Sequence, residues 1–196
     1  MTLPIVAYGD PVLRKKTKEI DSDYPNFAGL LENMFETMYG ARGIGLAAPQ
    51  VGLPIRLFIV DATPFEDDDD LSEAEREYCS TFKKVFINAK ILEEEGDEWA
   101  FNEGCLSIPD INEDVFRQPQ ITMEYLDENF GKHTETFDGI VARIIQHEYD
   151  HIEGVLFTDK LSPLKKRLIK GKLANISKGK IDVSYRMRFP NAKKKR

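Results

Sequence analysis

The sequence predicts a single α+β domain, with antiparallel strands packed around one central helix, and three observations predict it. Strand-like runs fill the middle of the chain while helical patterns flank them. The clearest helix, over residues 138–154, carries His147, Glu148 and His151 in the spacing HExxH. The last apolar segment alternates with period two, which predicts a terminal strand-like tail with one buried face. A chain of 196 residues suffices for one domain with one sizeable core. We expect the domain over residues 1–180 and the tail over 181–196.

The elements follow in order. Asp23-Tyr24-Pro25 reads as a helix start, with Asp23 as N-cap. Leu30, Leu31, Met34, Phe35 and Met38 follow at helical spacing, and Gly40 and Gly43 end this N-terminal helix. Residues 55–60 form a buried strand. Residues 63–80, with four consecutive aspartates at 67–70, read as a surface insertion holding one short helix at 72–78. The aspartates lack the spacing and glycine of a calcium loop. Residues 85–92 are a strand, followed by a hairpin through Gly96 to Trp99 and Phe101. Strands at 121–126 and 133–137 flank the hairpin loop 127–131. Asp138 caps the central helix, Ile140, Val141, Ile144 and Ile145 give it an apolar face, and Gly154 ends it. A C-terminal helix spans 162–177, weakened near Gly171. In the tail, Ile181, Val183, Tyr185, Met187 and Phe189 alternate with polar residues.

Composition excludes several classes. No apolar run is long enough for a spanning helix, and residues 1–10 lack the pattern of a secretory signal, so a cytoplasmic location is expected with no membrane partner. Cys79 and Cys105 are expected as free thiols. The net charge of −7 hides an asymmetry. Residues 161–196 hold 13 Lys/Arg and one acid, Asp182, for +12, on a body of −19. Such a segment suits either solvation or a polyanionic partner.

The chemistry sits on the central helix. Histidines four apart lie one turn apart on one face and can chelate one ion, with Glu148 within reach of a bound water. A metal can lower the pKa of such a water from 15.7 to about 7. A catalytic site needs a third protein ligand. Phe157 stands where the metzincin pattern has its third histidine, which removes that class. Asp159 and Asp182 do not lie on a helix of the thermolysin kind. His133 in the hairpin is one alternative, and Cys105 is the better one, because thiolate binds zinc and ferrous iron strongly.

Three motifs thus stand in order: Gly43-Ile44-Gly45-Leu46-Ala47-Ala48-Pro49-Gln50, Glu103-Gly104-Cys105-Leu106-Ser107, and Gln146-His147-Glu148-Tyr149-Asp150-His151. Together, over roughly residues 3–175, they closely resemble the peptide deformylase family, which removes the formyl group from the initiator methionine of nascent bacterial chains. The resemblance implies Cys105, His147 and His151 as ligands of one divalent ion. Ferrous iron is its expected identity, with zinc or nickel able to substitute. It implies Glu148 as general acid/base, and the Gln50 side-chain amide with the Leu106 N–H as oxyanion donors. Ile44, Gly45, Gly104 and Ile144 would contact substrate, the two isoleucines in an apolar methionine pocket. Arg143 is expected at the pocket edge or on a solvated face. The expected partners are N-formylmethionyl nascent peptides and, through Lys165, Lys166, Arg167, Lys170 and Lys172 on the C-terminal helix, the ribosome; no DNA contact is expected. Two departures stand out. Several bacterial members carry an arginine seven residues after the ligand cysteine, where this chain has Asn112, and the acidic insertion and tail are additions. The rival readings are a zincin-type endopeptidase and a non-catalytic metal-binding module.

Overall fold

The structure, a computed structural model, describes residues 1–192, so residues 193–196 of the expected tail lie outside the described residues. Along the chain run strand β1 (Ile5–Val6), helix α1 (Phe27–Gly40), β2 (Gly45–Ala47), β3 (Leu57–Asp61), α2 (Glu73–Ser80), β4 (Lys83–Glu95), β5 (Trp99–Cys105), β6 (Ile108–Arg117), β7 (Gln120–Leu126), β8 (Lys132–Asp138), α3 (Gly139–Glu153), α4 (Pro163–Ser177) and β9 (Met187–Arg188). The architecture is mixed helix and sheet in a single domain, as the sequence predicts.

A five-stranded antiparallel sheet of order β2-β3-β4-β7-β8 forms the main layer. Strand β3 is buried along its whole length, because both faces of the sheet are covered. Leu57 and Ile59 face one side and pack with Met34 and Met38 of α1. Phe58 and Val60 face the other and pack with Ile140, Val141, Ile144 and Ile145 of α3. Phe58 and Phe86 stack there at 4.7 Å. Truncating a buried phenylalanine of this kind costs about 3–5 kcal/mol. Cys79 of α2 is fully buried in the same cluster and is a free thiol.

A second, two-stranded sheet pairs β5 with β6 through the turn Leu106-Ser107. Ile108, Ile111 and Val115 of β6 pack with Ile169, Leu173 and Ile176 of α4. This arrangement corrects one expectation. The turn at Gly96 makes no hairpin between β4 and β5: β4 pairs with β7, and the chain crosses at Gly96 into the smaller sheet. Strand β6 went unread, because its run holds Pro109, Asp110, Asn112, Glu113 and Asp114, residues depleted in strands, and its two-residue turn Leu106-Ser107 carries no glycine or asparagine to mark a hairpin.

Other boundaries shift for local reasons. Helix α1 begins after Asn26, not at Asp23, since Asp21 folds back onto the Asp23 N–H in a separate turn and Pro25 disfavours helical geometry at Tyr24. Asp138 stands at the N-cap of α3 but makes no capping bond, because it still pairs with Gln120 in the sheet. Gly154 ends α3 in the left-handed conformation, φ 77°, as its position predicts. Helix α4 runs unbroken through Gly171, where a side chain would meet only open space. The tail keeps its alternation, with Ile181, Val183, Tyr185, Met187 and Phe189 half-buried between exposed neighbours. Only Met187–Arg188 pairs as a strand, and it does so in parallel with β1. The remainder is irregular, so the period of two reports a buried face and not a full ladder. Among the described residues, no helix is long and apolar enough to cross a membrane.

Candidate metal centre and active site

Cys105, at the end of β5, meets His147 and His151 of α3, with one donor atom from each lying within 4.8 Å of the others. Helical spacing brings the two imidazoles to one face, 5.2 Å apart between ring centres. The Cys105 Sγ lies 3.3 Å from His151 Nε2. His133, the other candidate for the third position, is elsewhere: its Nε2 contacts Asp127 at 2.7 Å in the β7–β8 hairpin, and its ring stacks on Tyr125.

His147 is oriented by Glu103. Its Nδ1 sits 2.9 Å from Glu103 Oε2, which leaves Nε2 for the centre. Glu103 is buried and also accepts from Arg117 Nε at 2.7 Å, Arg117 Nη2 at 2.9 Å and Arg143 Nη1 at 3.1 Å. Arg117 in turn reaches Asp150 at 2.7 Å. Burial alone would raise the Glu103 carboxyl, but Arg117 and His147 outweigh it and hold the group well below the usual carboxylate range. Arg143 is no solvated residue: it is buried against Glu103, donates to the carbonyls of Val115 and Trp99, and stacks over the Trp99 ring. This ionic cluster was not read from the sequence. Its one signal was an acid at an inward position of an alternating strand, two residues before Cys105.

Burial opposes charge on His147, but the contacts with Cys105 and Glu103 overcome it and raise the imidazole well above its ordinary range. Burial and the neighbouring His147 push His151 the other way, so it stays neutral. A proton held between a thiol and an imidazole is what a divalent ion displaces on binding. The donor set of one thiol and two imidazoles, with an outer carboxylate fixing one ring, fits a transition metal with one position left open.

Glu148 lies beside the three donors. Burial pushes its carboxyl up to about 7, with Glu103 adding repulsion. Its Oε2 is buried with no hydrogen-bond partner, as is His151 Nδ1. The space for this carboxylate is made by Gly45: a Cβ there would overlap Glu148, reaching its Cγ at 2.7 Å. Gln50 is buried, and its Oε1 accepts from the Ala47 N–H at 2.8 Å. That anchor aims Nε2 at the centre, 3.5 Å from both Cys105 Sγ and Ser107 Oγ. Leu106 is the residue after the candidate ligand, in the turn between β5 and β6.

These groups open into a cavity of about 420 Å³ that takes in every expected site residue except His151, which lies fully buried behind it. Ile44, Gly45 and Gln50 line it from β2 and its flanks, Gly104, Cys105 and Leu106 from the end of β5 and the turn after it, and Ile144, His147 and Glu148 from α3. Strand β2 is an edge strand, bonded only to β3, and so presents a free edge to the cavity. Asn112 packs over Gly104, and Arg42 and Tyr185 complete the rim, none of the three read as site residues from sequence.

The comparisons with known proteins agree. A family model described as polypeptide deformylase matches residues 2–167. The peptide deformylase of Christiangramia forsetii is 69% identical over 196 residues, covering 100% of both chains. That of Flavobacterium johnsoniae is 64% identical, again over 100% of each. The crystal structure of a peptide deformylase from Legionella pneumophila superposes with a TM-score of 0.77 at 34% identity, covering 92% of this chain and 98% of that one.

Proposed function

The chain belongs to the polypeptide deformylase family and removes the N-formyl group from nascent polypeptides, and we propose that it does so with Cys105, His147 and His151 holding one divalent metal ion. The observation that carries this reading is the three-donor cluster with the unpartnered Glu148 carboxylate beside it. Ferrous iron is the resident ion, with zinc or nickel able to substitute, since thiolate and imidazole suit all three. When bound, the ion supplies Lewis-acid activation of water and of the formyl oxygen.

The chain's own residues do the rest. Glu148 takes a proton from the water that attacks the formyl carbon and returns it to the leaving nitrogen. Burial raises this carboxyl toward the range in which it can both take and return a proton. Gln50 Nε2 and the Leu106 N–H hold the developing oxyanion, and such donors are typically worth about 2.7–4 kcal/mol each. The C–N bond breaks, and formate and the free amino terminus leave. Ile44 and Ile144 receive the methionine side chain, and the open edge of β2 at Gly45 takes the substrate backbone as an added strand. The metal helix α3 is in this reading the centre about which the domain is built, and residues 181–190 are an integral wall of the domain.

Protein purified without oxygen should release formate from formyl-Met-Ala, and metal analysis of the same sample should return iron; a metal-loaded protein that releases none overturns the reading. The rival endopeptidase wants a histidine or acid as third ligand. Cys105→Ala separates the two, since retained metal would favour the rival. The enzyme works in the cytoplasm, at the ribosome. Lys166, Arg167, Lys170 and Lys172 are exposed on α4, whereas Lys165 is tied to Glu113 at 2.8 Å. Ribosome co-sedimentation should weaken steeply with salt.

A further inference from the structure

The tail does more than close the fold. The donor N–H assigned to Leu106 belongs to the two-residue turn Leu106-Ser107, and both carbonyls of that turn are held from outside. Ser107 O accepts from the Tyr8 N–H at 2.8 Å. Leu106 O accepts from the Tyr185 hydroxyl at 2.8 Å. Tyr8 follows β1, Tyr185 precedes β9, and these two strands pair, with Ile5 N–H donating to Arg186 O and Ala7 N–H to Arg188 O at 2.9 Å each. The two clamps are therefore parts of one unit. Ile181, Met187 and Phe189 pack into the core on either side, which fixes the backbone that carries Tyr185. The Tyr185 ring is half-buried and lines the same cavity as Glu148 and Cys105. The Leu106 carbonyl lies in the Leu106–Ser107 peptide plane, one Cα away from the plane that carries the Leu106 N–H, so a donor on that carbonyl limits rotation at Leu106 and, with Ser107 O held as well, narrows the directions open to the N–H.

We propose that Tyr185 is a positioning residue for deformylation: its hydroxyl fixes the Leu106 carbonyl and so aims the Leu106 N–H at the formyl oxygen. The inference rests on the oxyanion role given to Leu106 above. A misaimed donor loses more in the transition state, where the oxygen carries charge, than in bound substrate, so the loss falls on kcat and not on KM.

Tyr185→Phe keeps the ring and removes only the hydroxyl. With metal content and Tm unchanged, kcat for formyl-Met-Ala should fall about tenfold, less than the ~10²–10³ lost when a donor is deleted outright. KM should stay within about twofold. Backbone amide NMR should show the Leu106 and Ser107 signals shifted. Unchanged kcat together with unchanged amide signals overturns the proposal. So does a kcat loss that merely tracks lost metal or a lower Tm, because that is a structural role only. Metal-loaded wild type that releases no formate sinks the assigned function instead, and the two amide signals then still decide whether Tyr185 sets the turn.

Discussion

The floor and the rim of the cavity are built on different physical terms. On the floor, Gln50, Glu103, Glu148 and His151 are each no more than 5% exposed; the polar atoms of Gln50 and Glu103 have fixed partners, while Glu148 Oε2 and His151 Nδ1 are held ready without one. Charges there are taken out of water and balanced by one another: Glu103 answers Arg117, Arg143 and His147. At the rim, Arg42, Gly104 and Asn112 are exposed, and Tyr185 is half-buried. Low dielectric makes each floor contact expensive to break, whereas rim contacts compete with solvent. Floor substitutions should therefore alter the chemistry or the stability of the site, and substitutions of the exposed rim residues Arg42 and Asn112 the choice of substrate, while the half-buried Tyr185 acts through the Leu106 turn and goes with the floor.

The largest expected effect is on proton transfer. Glu148→Gln should keep its metal and lose about 10²–10⁴ in kcat. Loss of metal instead would mean that Glu148 helps to hold the centre. Next comes Gly45→Ala, which leaves every named side chain in place but drives a methyl into the Glu148 carboxylate. Displacement of a reacting group by about 1 Å costs on the order of 10²-fold, and near-wild-type turnover would show that the floor yields where we hold it rigid.

Glu103→Gln tests the ionic cluster. Removing one partner of a buried ion pair costs about 3–5 kcal/mol. Because the folded-state pKa of Glu103 is depressed, its contribution is full above the unfolded carboxylate range near about 4.3 and is lost as pH falls toward the folded value. Urea unfolding of both metal-free proteins should therefore show the widest gap at neutral pH and a narrower one at about pH 3. A gap that is constant with pH would mean that shape, not charge, is what Glu103 supplies. The smallest effect belongs to the rim. Asn112→Arg should lower KM for formyl-Met-Ala-Ser by less than about tenfold, ~1.4 kcal/mol, and leave kcat alone. A change in kcat would erase the distinction between the two regions.

The same contrast explains what the sequence disclosed. The helix α3, the β7–β8 hairpin and α4 are legible because their periodicity and terminators are local: Gly154, the loop 127–131, and Ser162 before Pro163. The three donors were legible because their motifs survive as short strings. The Glu103–Arg117–Arg143 cluster was not, since its members come from β5, β6 and α3 and meet only once β5 has left the main sheet. Gly45 was expected to offer its backbone to substrate; the room it leaves for Glu148, about a hundred residues onward, is a fact of packing that no local pattern carries. Tyr185 was placed on a buried face by alternation, but what that face meets depends on the parallel pairing with β1.

Cys79 is sealed in the apolar core, and burial raises its thiol pKa, while Cys105 opens on the cavity. The two sulfurs thus differ in reach by design of the fold, and the folded chain offers an alkylating reagent a single target. If Cys105 is a metal ligand as proposed, native thiol counting should become a census of empty centres, with one equivalent per molecule when the donors are bare and none when they are filled.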